Sequence, residues 1–79
     1  MKLRVTVMPK NGVLDPQGKA IQQALGGLGF SGVDDVRAGK VIILDVAETD
    51  PAKAKATAED MARKLLANTV IESFSVEVA

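Results

Sequence analysis

Apolar and polar residues alternate along Lys2–Met8, with Leu3, Val5 and Val7 on one face and Lys2, Arg4, Thr6 and Met8 on the other. Period two with β-branched residues predicts a half-buried strand. Pro9 closes it, and Lys10-Asn11-Gly12 reads as a turn. Asp15 can then accept from the free N–H groups of a helix start, and Pro16 suits the first helical position, where no N–H is needed. Beyond it Ala20, Ile21, Ala24, Leu25 and Leu28 form one apolar stripe at helical spacing, and Gly29 is the expected left-handed stop.

Over residues 31–38, Val33 and Val36 interleave with Asp34, Asp35 and Arg37, which predicts a short polar strand. Ala38-Gly39-Lys40 reads as a tight turn into residues 41–46, the most apolar run of the chain and the expected central strand. The two form a hairpin. Asp50-Pro51 repeats the cap-and-proline device, opening a helix whose inward stripe is Ala54, Ala58, Met61, Ala62, Leu65 and Leu66. Asn68 stops that helix, and residues 70–78 alternate as a last strand, with Phe74, Val76 and Val78 on one face.

The order β-α-β-β-α-β predicts an α+β fold, a two-layer sandwich of a four-stranded antiparallel sheet with two helices on one face. Residues 1–79 are read as a single domain. In the expected central strand Val41 and Ile43 point opposite to Ile42, Leu44 and Val46, so both sheet faces carry apolar side chains. Helices cover one face only. Apolar residues on the other predict a protein partner or a second copy, and so short a chain favours a homodimer or higher oligomer.

At 47% hydrophobic residues the chain is too apolar to be disordered. It has no Cys and no His, which removes disulfides, thiol nucleophiles, the usual zinc sites and Ser-His triads. Net charge is zero, so no electrostatic footprint for nucleic acid or an anionic membrane is present. The N-terminal segment lacks the apolar core of a signal peptide, and the expected location is the cytoplasm.

Little chemistry survives this. Gly26-Gly27-Leu28-Gly29 lies at the end of a helix, whereas phosphate cradles need glycines before one. Asp34 and Asp35 are neighbours in an expected strand and face opposite ways, so they cannot share a cation. Lys10, Lys19 and Lys40 sit on separate elements and read as solubilising. Two activities hosted by the same topology fail on the residues. An acylphosphatase-like site needs an Arg in the loop after the first strand, and Pro9-Lys10-Asn11-Gly12 has none. An RNA-recognition sheet needs stacked aromatics and basic flanks, and only Phe30 and Phe74 exist. A small regulatory ligand-binding module of ferredoxin-like topology stays open, since such sites use backbone groups at dimer interfaces. No catalytic residue, cofactor site or metal site is expected in this chain.

The stretches Pro9–Gly18, Val36–Lys40 and Leu65–Glu72 resemble the PurS family, the small subunit of phosphoribosylformylglycinamidine synthase in purine biosynthesis. The resemblance runs from the first strand to the last. One departure is Thr69, where the family often has Pro after the Asn, and it touches only the helix exit. The resemblance implies a non-catalytic subunit of a glutamine-dependent C–N ligase complex. A large synthetase subunit would use ATP and Mg²⁺, a glutaminase subunit would release ammonia, and the small subunit would dimerise and bridge them. Partner-interface candidates are Lys10, Asn11 and Gln17 around the first loop and helix start, with Lys40, Val41 and Ile43 on the central strand.

Overall fold

A computed structural model describes all residues, 1–79. Its elements are β1 (Lys2–Pro9), α1 (Pro16–Gly27), β2 (Lys40–Asp45), α2 (Pro51–Met61) and β3 (Glu72–Val78), with a wider π-type turn, Ala62–Leu66, extending α2. The strands form one antiparallel sheet in the order β2-β1-β3. No helix is long and apolar enough to cross a membrane.

The first, third and fourth predicted strands form, and register explains which side chains meet. Leu3, Val5 and Val7 stand opposite Leu44, Ile42 and Lys40 of β2 and opposite Val78, Val76 and Phe74 of β3. Directly opposed residues share a face. α2 lies over β1 and β3 with Ala54, Ala58 and Ala62 fully buried against that face, so small side chains let the helix approach closely. Met61 and Leu65, expected in the same stripe, are exposed, and Leu66 is half-buried. The π-type turn rotates the register after Met61 and turns Leu65 outward.

Two expectations fail. The sheet has three strands, not four, because residues 33–39 run on without turn or bend and pair with no strand. Gly39 does not adopt the left-handed conformation that a tight hairpin turn uses there; only Gly12 and Gly29 have positive φ. The expected hairpin is therefore open. Nor does α1 lie on the sheet with α2. Its N-cap and stop form as read, with Asp15 accepting from Gly18 and Gly29 left-handed, but its stripe faces outward. Ile21 and Leu28 are exposed and only Leu25 is half-buried. α1 and residues 33–38 instead form an arm projecting from the end of the sheet where β1 finishes and β2 begins.

The arm gives the chain extents of 48 × 24 × 14 Å and a radius of gyration of 15.8 Å. A compact chain of this length has about 12 Å. Its surface, 5397 Å², exceeds the ~4,600 Å² expected for its mass.

Candidate functional site

The base of the arm is the most highly organised polar region of the molecule. Three segments meet there: the loop after β1, the start of α1, and residues 36–38 leading into β2. The Asp15 carboxylate caps α1 by accepting from Gly18 N–H (3.0 Å) and reaches across to accept from Ala38 N–H (2.8 Å). Arg37 completes the junction. Its guanidinium donates to Asn11 Oδ1 (2.6 Å), to the Lys10 carbonyl (2.7 Å) and to the Pro9 carbonyl. Gly18 allows the close packing, since a Cβ there would collide with the Val36 carbonyl oxygen. Further out, Gln22 Nε2 donates to the carbonyls of Val33 (3.2 Å) and Asp34 (3.0 Å), tying the two halves of the arm together.

These donors hold the Asp15 carboxyl below the ordinary carboxylate range, the Gly18 N–H first and the Ala38 N–H second, with a smaller contribution from Arg37. A lowered folded-state pKa favours the ionised form in the fold. The cap's contribution is therefore complete above the unfolded value of about 4 and is lost as pH falls through the lowered folded one. The Gly18 and Ala38 amide resonances should titrate together with a midpoint below that of an exposed aspartate. Asp15→Asn should abolish the shared titration; two separate midpoints would contradict a single carboxylate serving both donors.

Of the partner-interface candidates, Lys10, Asn11 and Gln17 lie around this junction. Lys10 is exposed but already occupied, its Nζ donating to the Thr69 carbonyl (2.7 Å) and its N–H to the Ile71 carbonyl (2.8 Å). Asn11 is spent on Arg37. Gln17 is exposed and lines a shallow groove with Leu14, Pro16, Ile71 and Glu72. Lys40 opens β2 next to the junction. Val41 and Ile43 are elsewhere, on the helix-free face beside Thr6 and Arg4, 58% and 52% exposed. Phe74 lies on the helix side with the core.

Sequence reasoning passed over Arg37. It sat in an alternating segment and read as one more solvent-facing charge. Its acceptors lie in the loop after β1, more than twenty-five residues earlier, so no local pattern marked it. No group of three His, Cys, Asp or Glu side chains is placed to hold a metal ion. The junction offers shape, backbone groups and fixed orientation.

Comparison with known proteins finds likeness over nearly the whole chain. The family model "PurS: Phosphoribosylformylglycinamidine (FGAM) synthase" matches residues 2–79. The Bacillus subtilis protein named phosphoribosylformylglycinamidine synthase subunit PurS is 44% identical over 98% of this chain and 90% of its own. A crystal form of B. subtilis PurS superposes with a TM-score of 0.85 at 43% identity, covering 96% of this chain and 94% of that one. A chain from the structure of PurLQS from Thermotoga maritima superposes with a TM-score of 0.85 at 30% identity, covering 96% and 93%.

Proposed function

Since the chain belongs to the PurS family, we propose that it is the small, non-catalytic subunit of phosphoribosylformylglycinamidine synthase, bridging a glutaminase and a synthetase subunit in the cytoplasm and supporting transfer of ammonia between them. The observation that carries this is the whole-length likeness to a chain of the PurLQS structure. The chemistry of the chain supports the same division of labour. Without Cys or His it has no thiolate to attack glutamine and no imidazole base. On this reading ATP and Mg²⁺ are used by the large subunit, as membership of the family implies. The chain acts as a homodimer or higher oligomer, with no part in nucleic-acid or membrane binding. A regulatory ligand-binding role is not favoured, since the matching family model and the named relatives are of the PurS subunit.

Partner docking is assigned to the outer surface of the arm base, where Lys10 and Gln17 are exposed. Reconstitution tests this. Adding the chain to the other two subunits should restore glutamine-dependent turnover, and ammonia-dependent turnover by the large subunit should change much less. Lys10→Ala with Gln17→Ala should keep the melting temperature and weaken assembly by about fivefold or more, the effect of losing a contact worth over 1 kcal/mol. Wild-type assembly by the double variant would place the docking surface elsewhere.

A further inference from the structure

The turn after β1 holds a chemically reactive pair, Asn11 and Gly12. Both residues are exposed, and glycine puts no side chain in the way of its own backbone nitrogen. The Gly12 N–H makes no hydrogen bond within the chain, and the Asn11 side chain is bonded only through its oxygen. We infer that Asn11-Gly12 is a self-modification site held shut by Arg37. While the guanidinium clamps the turn the pair is inert, and when the arm comes off the turn the Asn11 side chain deamidates.

The step balances with water as the only co-reactant. The Gly12 nitrogen attacks Asn11 Cγ and an N–C bond forms. The carboxamide nitrogen leaves as ammonia, taking the proton of the Gly12 N–H, and a cyclic imide remains. Water then opens the ring at either carbonyl. Attack at the side-chain carbonyl leaves an ordinary aspartate at position 11. Attack at the main-chain carbonyl leaves an isoaspartate, with the backbone routed through Cβ. Ammonia goes out, water comes in, and nothing is oxidised or reduced.

Two features of the structure close this route. Val13 N–H donates to the Lys10 carbonyl across the turn (3.2 Å), Asn11 has negative φ and Gly12 sits at φ 81°. That is a type II turn, whose first central residue has ψ of about +120°. Ring closure needs the Gly12 nitrogen eclipsed with Cβ about the Asn11 Cα–C bond, and this ψ swings it well away. The second feature is Arg37. It holds Asn11 Oδ1 (2.6 Å), which pins Cγ, and the Pro9 and Lys10 carbonyls, which pins the turn. The bond to Oδ1 also polarises the carbonyl, but a carbonyl that its nucleophile cannot reach does not react. Reaction therefore requires local opening, and its rate follows the open fraction.

The products differ in what they leave behind. A carboxylate at position 11 still accepts from Arg37, now as an ion pair. An isoaspartate lengthens the main chain by a methylene and displaces the acceptors, so the guanidinium cannot span them again. Opening of the junction is thereby recorded irreversibly where the arm meets the sheet. This chemistry belongs to the chain alone and does not depend on the bridging role.

Incubation of the purified chain at mildly alkaline pH tests it, read by peptide mass mapping and enzymatic methylation of isoaspartate. Denatured wild type should react fastest at Asn11 and folded wild type slowest. Folded Arg37→Ala should react about 5–30 times faster than folded wild type, the shift in an opening equilibrium when one such clamp is lost. Arg37→Lys should lie between them, and it carries the comparison should Arg37→Ala not fold. Folded wild type reacting as fast as the denatured chain would overturn the inference, as would equal rates in wild type and both Arg37 variants. The two products are then separated by melting. Asn11→Asp should keep the wild-type melting temperature, whereas wild type enriched in isoaspartate should melt lower. Equal melting of those two samples would overturn the lasting record of opening.

Discussion

Val5→Asp should leave a chain with no cooperative thermal transition. Val5 is the centre of the core, fully buried between Ile42 of β2 and Val76 of β3. Only Leu3, Val5 and Val7 are large side chains with no exposure at all. Fully burying each contributes about 1.5–3 kcal/mol. A chain of this length has of the order of 4–12 kcal/mol in total, and an unpaired carboxylate in an apolar site costs several kcal/mol. No acceptor-hungry donor lies nearby to offset it, since no polar residue is buried in the structure. Thr6→Asp provides the contrast. Thr6 stands on the helix-free face between Val41 and Ser75, and its replacement should cost no more than about 1 kcal/mol. Circular dichroism melts of the two variants check this. A cooperative Val5→Asp transition near that of the wild type would mean that stability resides in the arm or between copies and not in this sheet.

What was legible in the sequence was local. The alternation of Leu3, Val5 and Val7, the alanine spacing of α2, and the Asp15-Pro16 and Asp50-Pro51 helix starts each depend on residues a few positions apart, and each forms as read. What was not legible was where a formed element goes. The stripe on α1 is a true helical stripe, yet periodicity says only that it must be buried, not that the chain's own sheet does the burying. The same holds for residues 33–38: strand-like alternation is present, but a strand needs a partner, and the open conformation at Gly39 takes it away from β2. Arg37 was hidden for a related reason. Its three acceptors lie more than twenty-five residues earlier, and two of them are backbone carbonyls, which carry no sequence signature. Of the interface candidates, Lys10, Asn11 and Gln17 fall together because the turn and the cap are adjacent in the chain. Val41 and Ile43 fall apart from them because β2 carries them to the middle of the open face.

Arg37→Ala should loosen the arm more than any other single polar substitution. The side chain joins the far side of the junction to the loop after β1 by bonding Pro9, Lys10 and Asn11 together. Hydrogen bonds to a charged group are worth about 1.5–3 kcal/mol when buried; this site is partly open, so water recovers part of the loss. A destabilisation of about 1–2 kcal/mol is expected. The larger consequence is geometric. Asp15 would still cap α1 and hold Ala38, but the loop bearing Lys10 and Asn11 would no longer be fixed to the arm. Arg37→Lys is the graded case, because an ammonium on a flexible stem can reach one of the three acceptors but cannot span them as the planar guanidinium does. Spin labels at Lys2→Cys and Ser31→Cys, one on the sheet and one at the arm tip, read the arm's orientation directly. Their distance distribution should broaden from wild type to Arg37→Lys to Arg37→Ala, and assembly with the glutaminase and synthetase subunits should weaken in the same order. An unchanged distribution in Arg37→Ala would show that the Asp15 cap alone sets the arm, and that the guanidinium only decorates a junction already fixed.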